Sequence, residues 1–158
     1  PYGNHIARFV FPTSATELKV RVDLLADMTV INPFDFFLDD QVKQYPFTYS
    51  SIQSKELAPY LEAAPPSFPL ASLIGELKRE KVGTVDYLVE INSLLRQRVN
   101  YLIRMEPGVQ SPEDTLTRAS GSCRDSAWLA VQLLRTLGIA ARFVSGYLHQ
   151  LRPAVARH

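Results

Sequence analysis

Residues 17–24, Glu-Leu-Lys-Val-Arg-Val-Asp-Leu, alternate strictly. Leu18, Val20, Val22 and Leu24 fall on one side, and Glu17, Lys19, Arg21 and Asp23 on the other. This is the period-two pattern of a strand with one buried face. A β-rich run from Ile6 to Phe11 precedes it, and Pro12 to Thr16 supplies turn residues between the two. Together they predict an antiparallel hairpin. A third short run, Thr29 to Ile31, stops at Asn32-Pro33. Residues 1–33 are therefore expected to be the end of a β domain whose sheet edges need cover.

The pattern weakens over 34–66, where Phe34, Phe36, Phe37, Tyr45, Phe47 and Tyr49 stand among prolines and turn formers. An ordered connector that packs its aromatics onto a neighbouring domain is expected there, ahead of an aromatic binding cage. From residue 67 the period becomes helical. Leu70, Leu73, Ile74 and Leu77 share one face of a helix over 70–82, with Glu76, Lys78, Arg79 and Glu80 opposite. Gly83 fits a stop and Thr84 an N-cap. Leu88, Ile91, Leu95 and Val99 then predict a second amphipathic helix over 85–99. Tyr101 to Met105 reads as a short extended segment broken by Pro107-Gly108. Ser111-Pro112-Glu113-Asp114 is a compact helix start, with a Ser cap, Pro at the first helical position and Asp placed to bond back to the cap. That helix is short, because Ser120-Gly121-Ser122 interrupts it. The run Cys123 to Leu137 is apolar nearly all round, which places a helix in the middle of a domain. Gly138 closes it, and 140–148 reads as a strand with Ala141, Phe143, Ser145 and Tyr147 on one side.

Composition narrows the function more than the fold. The chain has 158 residues, about the length of one domain. Hydrophobic residues at 46% and charged residues at 21% exclude a disordered chain. A net charge of +1 gives no electrostatic footprint for nucleic acid or an anionic membrane. No apolar run approaches the ~18–20 residues of a membrane span. One cysteine excludes an internal disulfide framework and a multi-Cys metal cage. No two histidines have ligand spacing, and no Gly-rich phosphate loop occurs, so neither metal nor cofactor is expected. The chain begins at Pro1 and shows no charged-then-apolar leader. A piece of a longer, cytoplasmic protein is expected.

Chemistry concentrates at Cys123. Gly121-Ser122-Cys123-Arg124-Asp125-Ser126-Ala127-Trp128 runs a turn of small residues straight into the apolar helix. Free amides and the positive end of the helix dipole stabilise an anion at such a position, a thiolate included. Arg124 next door pushes the same way. The same amides are placed to receive an oxyanion formed when sulfur attacks a carbonyl. The plainer alternative, a small buried hydrophobe, stands beside the nucleophile on local sequence alone.

Gly121-Ser-Cys123-Arg-Asp125-Ser-Ala-Trp128, followed by Leu134-Arg135-Thr-Leu-Gly138-Ile139-Ala-Ala141-Arg142-Phe-Val-Ser145-Gly146-Tyr147, resembles the core of the transglutaminase-like superfamily. The shared pattern is a cysteine opening a helix, a Leu-Arg-x-x-Gly-Ile helix end and an Ala-Arg-x-Val-x-Gly-Tyr strand. It covers about the last third of the chain. The N-terminal hairpin and Asn32-Pro33-Phe34-Asp35-Phe36-Phe37 resemble the region before the core in large bacterial transglutaminase-like proteins of cysteine-protease type. The resemblance implies an α+β fold. Residues 67–158 would hold the helical half of a papain-like core and its first strand, after part of an antiparallel β domain.

It also implies a thiol mechanism. Cys123 would attack an amide or ester carbonyl of a protein or peptide, and an amine or water would take the acyl group. A His to activate the thiol and an acid to orient the His are required. In the family both follow the Gly-Tyr strand, and the sequence departs from the pattern there. His149 lies 26 residues past the cysteine (149 − 123), at a strand end; His158 is terminal, and His5 opens the first strand. Asp125 lies on the nucleophile's own helix. The catalytic position matched is Cys123 alone, so this chain by itself is expected to be inactive. Ser145 and Tyr147 are candidate cleft residues. Trp128 is read first as core packing and second as a substrate contact, and Arg142 as an ion-pair partner for Asp125. The alternative function is a non-catalytic scaffold on the same fold. Exposed strand edges and a half-built core predict self-association.

Overall fold

The computed structural model describes residues 7–25, 27, 32, 35–77 and 81–146. The chain divides into two units, Pro1–Phe36 and Phe37–His158. In the first unit the described residues form no strand, so the hairpin expected over 6–11 and 17–24 is absent among them. Leu18, Val20, Val22 and Leu24 stand 63–70% exposed. Alternation specifies which side chains share a face. It does not supply the partner strand and covering layer that make a strand stable in water. The run Thr29–Ile31 lies outside the described residues.

The second unit opens with a 3-10 turn, Asp40–Val42, begun by the Asp39 carboxylate accepting from the Gln41 amide. β1 (Gln44–Tyr45) pairs antiparallel with β2 (Val82–Gly83), Tyr45 opposite Val82. Two short helices follow β1: α1 (Ser51–Glu56), capped by Ser50, and α2 (Ala58–Leu61). α3 (Phe68–Glu76) buries Leu70, Leu73 and Ile74. It ends earlier than the periodicity predicts, because Leu77 turns to extended backbone at ψ 134° while staying buried. α4 (Thr84–Arg98) begins one residue sooner than expected, with Gly83 as its cap. β3 (Asn100–Tyr101) pairs in parallel with β4 (Ser120–Gly121). Between them lies α5 (Pro112–Arg118), capped by Ser111 with Pro at its first position, as the sequence predicts. α6 (Cys123–Thr136) is the last regular element among the described residues.

Helices thus dominate and strands are minor, an α+β arrangement. The core joins Leu70, Leu73, Ile74 and Leu77 to Tyr87, Ile91, Leu95 and Val99, and to Leu129, Leu133 and Leu137. The last two sets recur every fourth residue, the spacing of one helix face. On α4 the buried stripe runs through Tyr87 rather than Leu88, which is 37% exposed. The cause lies in the expected connector. Tyr45 stacks on Tyr87, centroids 4.3 Å apart, and its hydroxyl donates to the Leu137 carbonyl at 3.0 Å. Phe47 and Tyr49 continue the aromatic series edge to face. Every residue of α6 after Cys123 is buried or half-buried, as expected of a central helix.

The strand expected over 140–148 does not form across 140–146. Its backbone goes elsewhere. The Ala141 amide donates to the Tyr60 carbonyl at 2.9 Å, the Ala140 amide to the Tyr49 hydroxyl, and the Ala141 carbonyl accepts from Arg135 Nε. Residues bonded to helices and side chains have no ladder to join.

Candidate active site

The turn from β4 into α6 is built for close approach. A Cβ on Gly121 would lie 2.9 Å from Asp125 Cβ and 3.2 Å from Gln110 Nε2, so only glycine lets the chain pass there unshifted. Ser122, extended at φ −76° and ψ 173°, caps the helix, and Cys123 is its first residue. The first intrahelical bond runs from the Ser126 amide to the Ser122 carbonyl, 3.0 Å. The amides of Cys123, Arg124 and Asp125 therefore precede any helical acceptor. Cys123 is a free, exposed thiol and not a buried hydrophobe.

Behind the thiol, Asp125 is completely buried. Arg104 grips it with a two-pronged fork, Nε to Oδ2 and Nη2 to Oδ1, each 3.0 Å. Gln110 donates its backbone amide to Oδ1 at 2.8 Å and its side-chain amide to Oδ2 at 3.1 Å. Ser122 donates its amide at 2.8 Å and its hydroxyl at 2.7 Å to Oδ2. Charge-assisted bonds of this kind are the strong ones. The Arg104 bond holds the carboxyl far below the usual carboxylate range. Burial opposes that shift, and the Gln110 and Ser122 donors reinforce it. Arg124 answers from the helix side. Its Nη2 donates to the carbonyls of Arg104 and Glu106, both at 3.1 Å.

These contacts fasten the 104–110 loop to the first turn of α6 and leave a cleft of about 690 Å³ in front of Cys123. The cleft is lined by Tyr101 and Ile103 to Met105, by Ser122, Cys123, Arg124 and Ala127, and by Phe143 to Gly146, so Arg104 itself borders it. Ser145 thus shares the cleft with Cys123. Trp128 is half-buried on α6 and is not among the lining residues. Tyr147, His149, His158 and His5 lie outside the described residues. The expected Arg142–Asp125 pair does not exist. Arg104 holds Asp125, and the Arg142 guanidinium lies 6.0 Å over the Tyr60 ring. Sequence reasoning passed over Arg104 and Gln110. A lone charge inside the apolar run Tyr101-Leu102-Ile103-Arg104-Met105 was the available signal for the first, and nothing local marks the second.

Among the described residues no cluster of three or more His, Cys, Asp or Glu is arranged to hold a metal. Nor is any helix there long and apolar enough to cross a membrane. The sequence model of the transglutaminase-like superfamily matches residues 72–157, a span that contains the whole cleft from Tyr101 to Gly146. An uncharacterized protein of Mycobacterium leprae is 40% identical over 60 residues. That match covers 38% of this chain and 22% of the relative's length. No solved structure matches the chain.

Proposed function

The chain belongs to the transglutaminase-like superfamily, and from that premise we propose that Cys123 is the nucleophile of a thiol acyl transfer or amide hydrolysis. The observation that carries the reading is an exposed thiol lining a cleft, at the first residue of a central helix, with first-turn amides beside it. Sulfur attacks the carbonyl carbon of a protein or peptide amide and forms a carbon–sulfur bond. The carbonyl oxygen becomes an oxyanion facing amide donors. The carbon–nitrogen bond then breaks, the amine leaves with a proton, and a thioester remains. Water or a second amine attacks the thioester and returns the thiol.

Turnover requires a base for the thiol and an acid to orient that base. Asp125 does not serve as the orienting acid, since both its oxygens are engaged by Arg104, Gln110 and Ser122. Among the described residues there is no histidine to act as that base. An activated ester bypasses the need to protonate a leaving amine and so tests the nucleophile by itself. Exposure to p-nitrophenyl acetate is expected to leave one acetyl group on Cys123 by intact mass, faster than on the urea-unfolded chain, and none there in Cys123→Ser. Acylation no faster than in the unfolded chain would refute the reading and leave a non-catalytic scaffold.

A further inference from the structure

We infer that the Arg104–Asp125 pair is a positioning device that sets where Cys123 presents its sulfur; the inference rests on the nucleophile reading above. The chain supplies its own control. Both α5 and α6 start with Ser-x-x-Asp: Ser111 to Asp114, and Ser122 to Asp125. At α5 the carboxylate is exposed and accepts from the Ser111 hydroxyl at 2.9 Å. That suffices to start a helix. At α6 the same carboxylate is buried, forked by an arginine 21 positions away and bonded to Gln110. Burying a charge is costly unless it is fully paired, so helix starting alone does not account for the arrangement.

What the arrangement does is visible in the neighbours of the cysteine. Ser122, on one side, gives its amide and hydroxyl to Asp125. Arg124, on the other, gives its guanidinium to the carbonyls of Arg104 and Glu106. Both residues flanking Cys123 are tied into one network, while the thiol stays exposed in the cleft. The network fixes the direction of the first-turn amides relative to the sulfur, and it fixes the opposing wall at Ile103 and Met105. Asp125 is not among the residues lining the cleft and acts through Ser122; Arg104 lines the cleft itself and is tied to Arg124 through its carbonyl.

A structural role and a positioning role separate in a paired substitution. Arg104→Met leaves a buried carboxylate without its cation and should unfold more readily. Arg104→Met with Asp125→Asn removes both charges and should recover most of the lost stability. The readout is the rate at which iodoacetamide alkylates Cys123 at fixed pH, unambiguous because the chain has one cysteine. If the pair positions the thiol, the double variant stays slower than the parent despite its restored melting temperature, by several-fold and up to roughly thirtyfold, the span that orientation at a helix N-terminus commands. A double variant as fast as the parent overturns the inference. If the double variant does not fold, Arg104→Lys decides: it keeps the charge and loses the fork, so a slower rate supports positioning and an equal rate overturns it. A parent chain that reacts no faster than its urea-unfolded form sinks the nucleophile reading itself, and this inference with it. That outcome is read on the parent alone, before any variant is compared.

Discussion

Replacing Asp125 by Asn changes one oxygen to an amide and leaves the side-chain shape intact. Asp125 accepts from Arg104 Nε and Nη2, the Gln110 amide and Nε2, and the Ser122 amide and Oγ. Oδ1 takes two of these donors and Oδ2 four. The better orientation of the amide puts its nitrogen in the Oδ1 place. There it faces Arg104 Nη2 and the Gln110 amide, two donors with no acceptor. Bonds to a charged group contribute about 1.5–3 kcal/mol each, which gives roughly 3–6 kcal/mol. Breaking a buried ion pair from one side costs about 3–5 kcal/mol, and the two estimates agree. Trp128, the one tryptophan, sits half-buried on α6 and reports the loss in a urea titration. With a urea dependence of about 2 kcal/mol per molar, the midpoint should fall by roughly 2 M at pH 7.

The pH dependence fixes the sign. The folded carboxyl titrates well below its ordinary value of 3.8. Its stabilisation is complete above that value and is lost as pH falls, because the unfolded chain takes up the proton first. The gap between parent and Asp125→Asn should therefore be constant from about pH 5 upward and narrow toward pH 2. A midpoint change under about 0.5 M at pH 7, or a gap that widens in acid, would refute the argument that the charge is what the network holds.

Two further outcomes follow from single contacts. Gly121→Ala puts a methyl group 2.9 Å from Asp125 Cβ, so the melting temperature should fall with a loss of about 1–3 kcal/mol, and Cys123 alkylation should slow along with it. Tyr45→Phe removes the buried hydroxyl bond to the Leu137 carbonyl while keeping the stack on Tyr87; urea unfolding should register a loss of about 1 kcal/mol, and no loss would mean that water replaces the bond without cost.

The start of α6 was legible in the sequence because its signals are local. A turn of small residues running straight into an apolar stretch acts within one turn, and the structure puts Cys123 at the first helical residue. The α5 start was legible for the same reason. Period alone carried less. At 17–24 it named a face without a partner, and no strand forms there. On α4 it marked Leu88, yet Tyr87 faces inward because Tyr45, remote in sequence, offers it a ring to stack on. The residue that determines the state of Asp125 was hidden in the same way. Arg104 lies 21 positions away in a stretch without helical or strand period. Neither composition nor spacing pairs it with the helix ahead of Arg142, the partner the sequence suggested.

The Tyr45 hydroxyl and the Leu137 carbonyl are 92 positions apart. During synthesis this bond has no acceptor until α6 has left the ribosome. Tyr45 and the face of α4 that stacks on it wait meanwhile with apolar surface uncovered. Contacts so distant in sequence carry a loop-closure cost that is met only when α6 docks. The cleft of this protein thus takes shape only once α6 has docked: the helix that carries the thiol is also the keystone of the core.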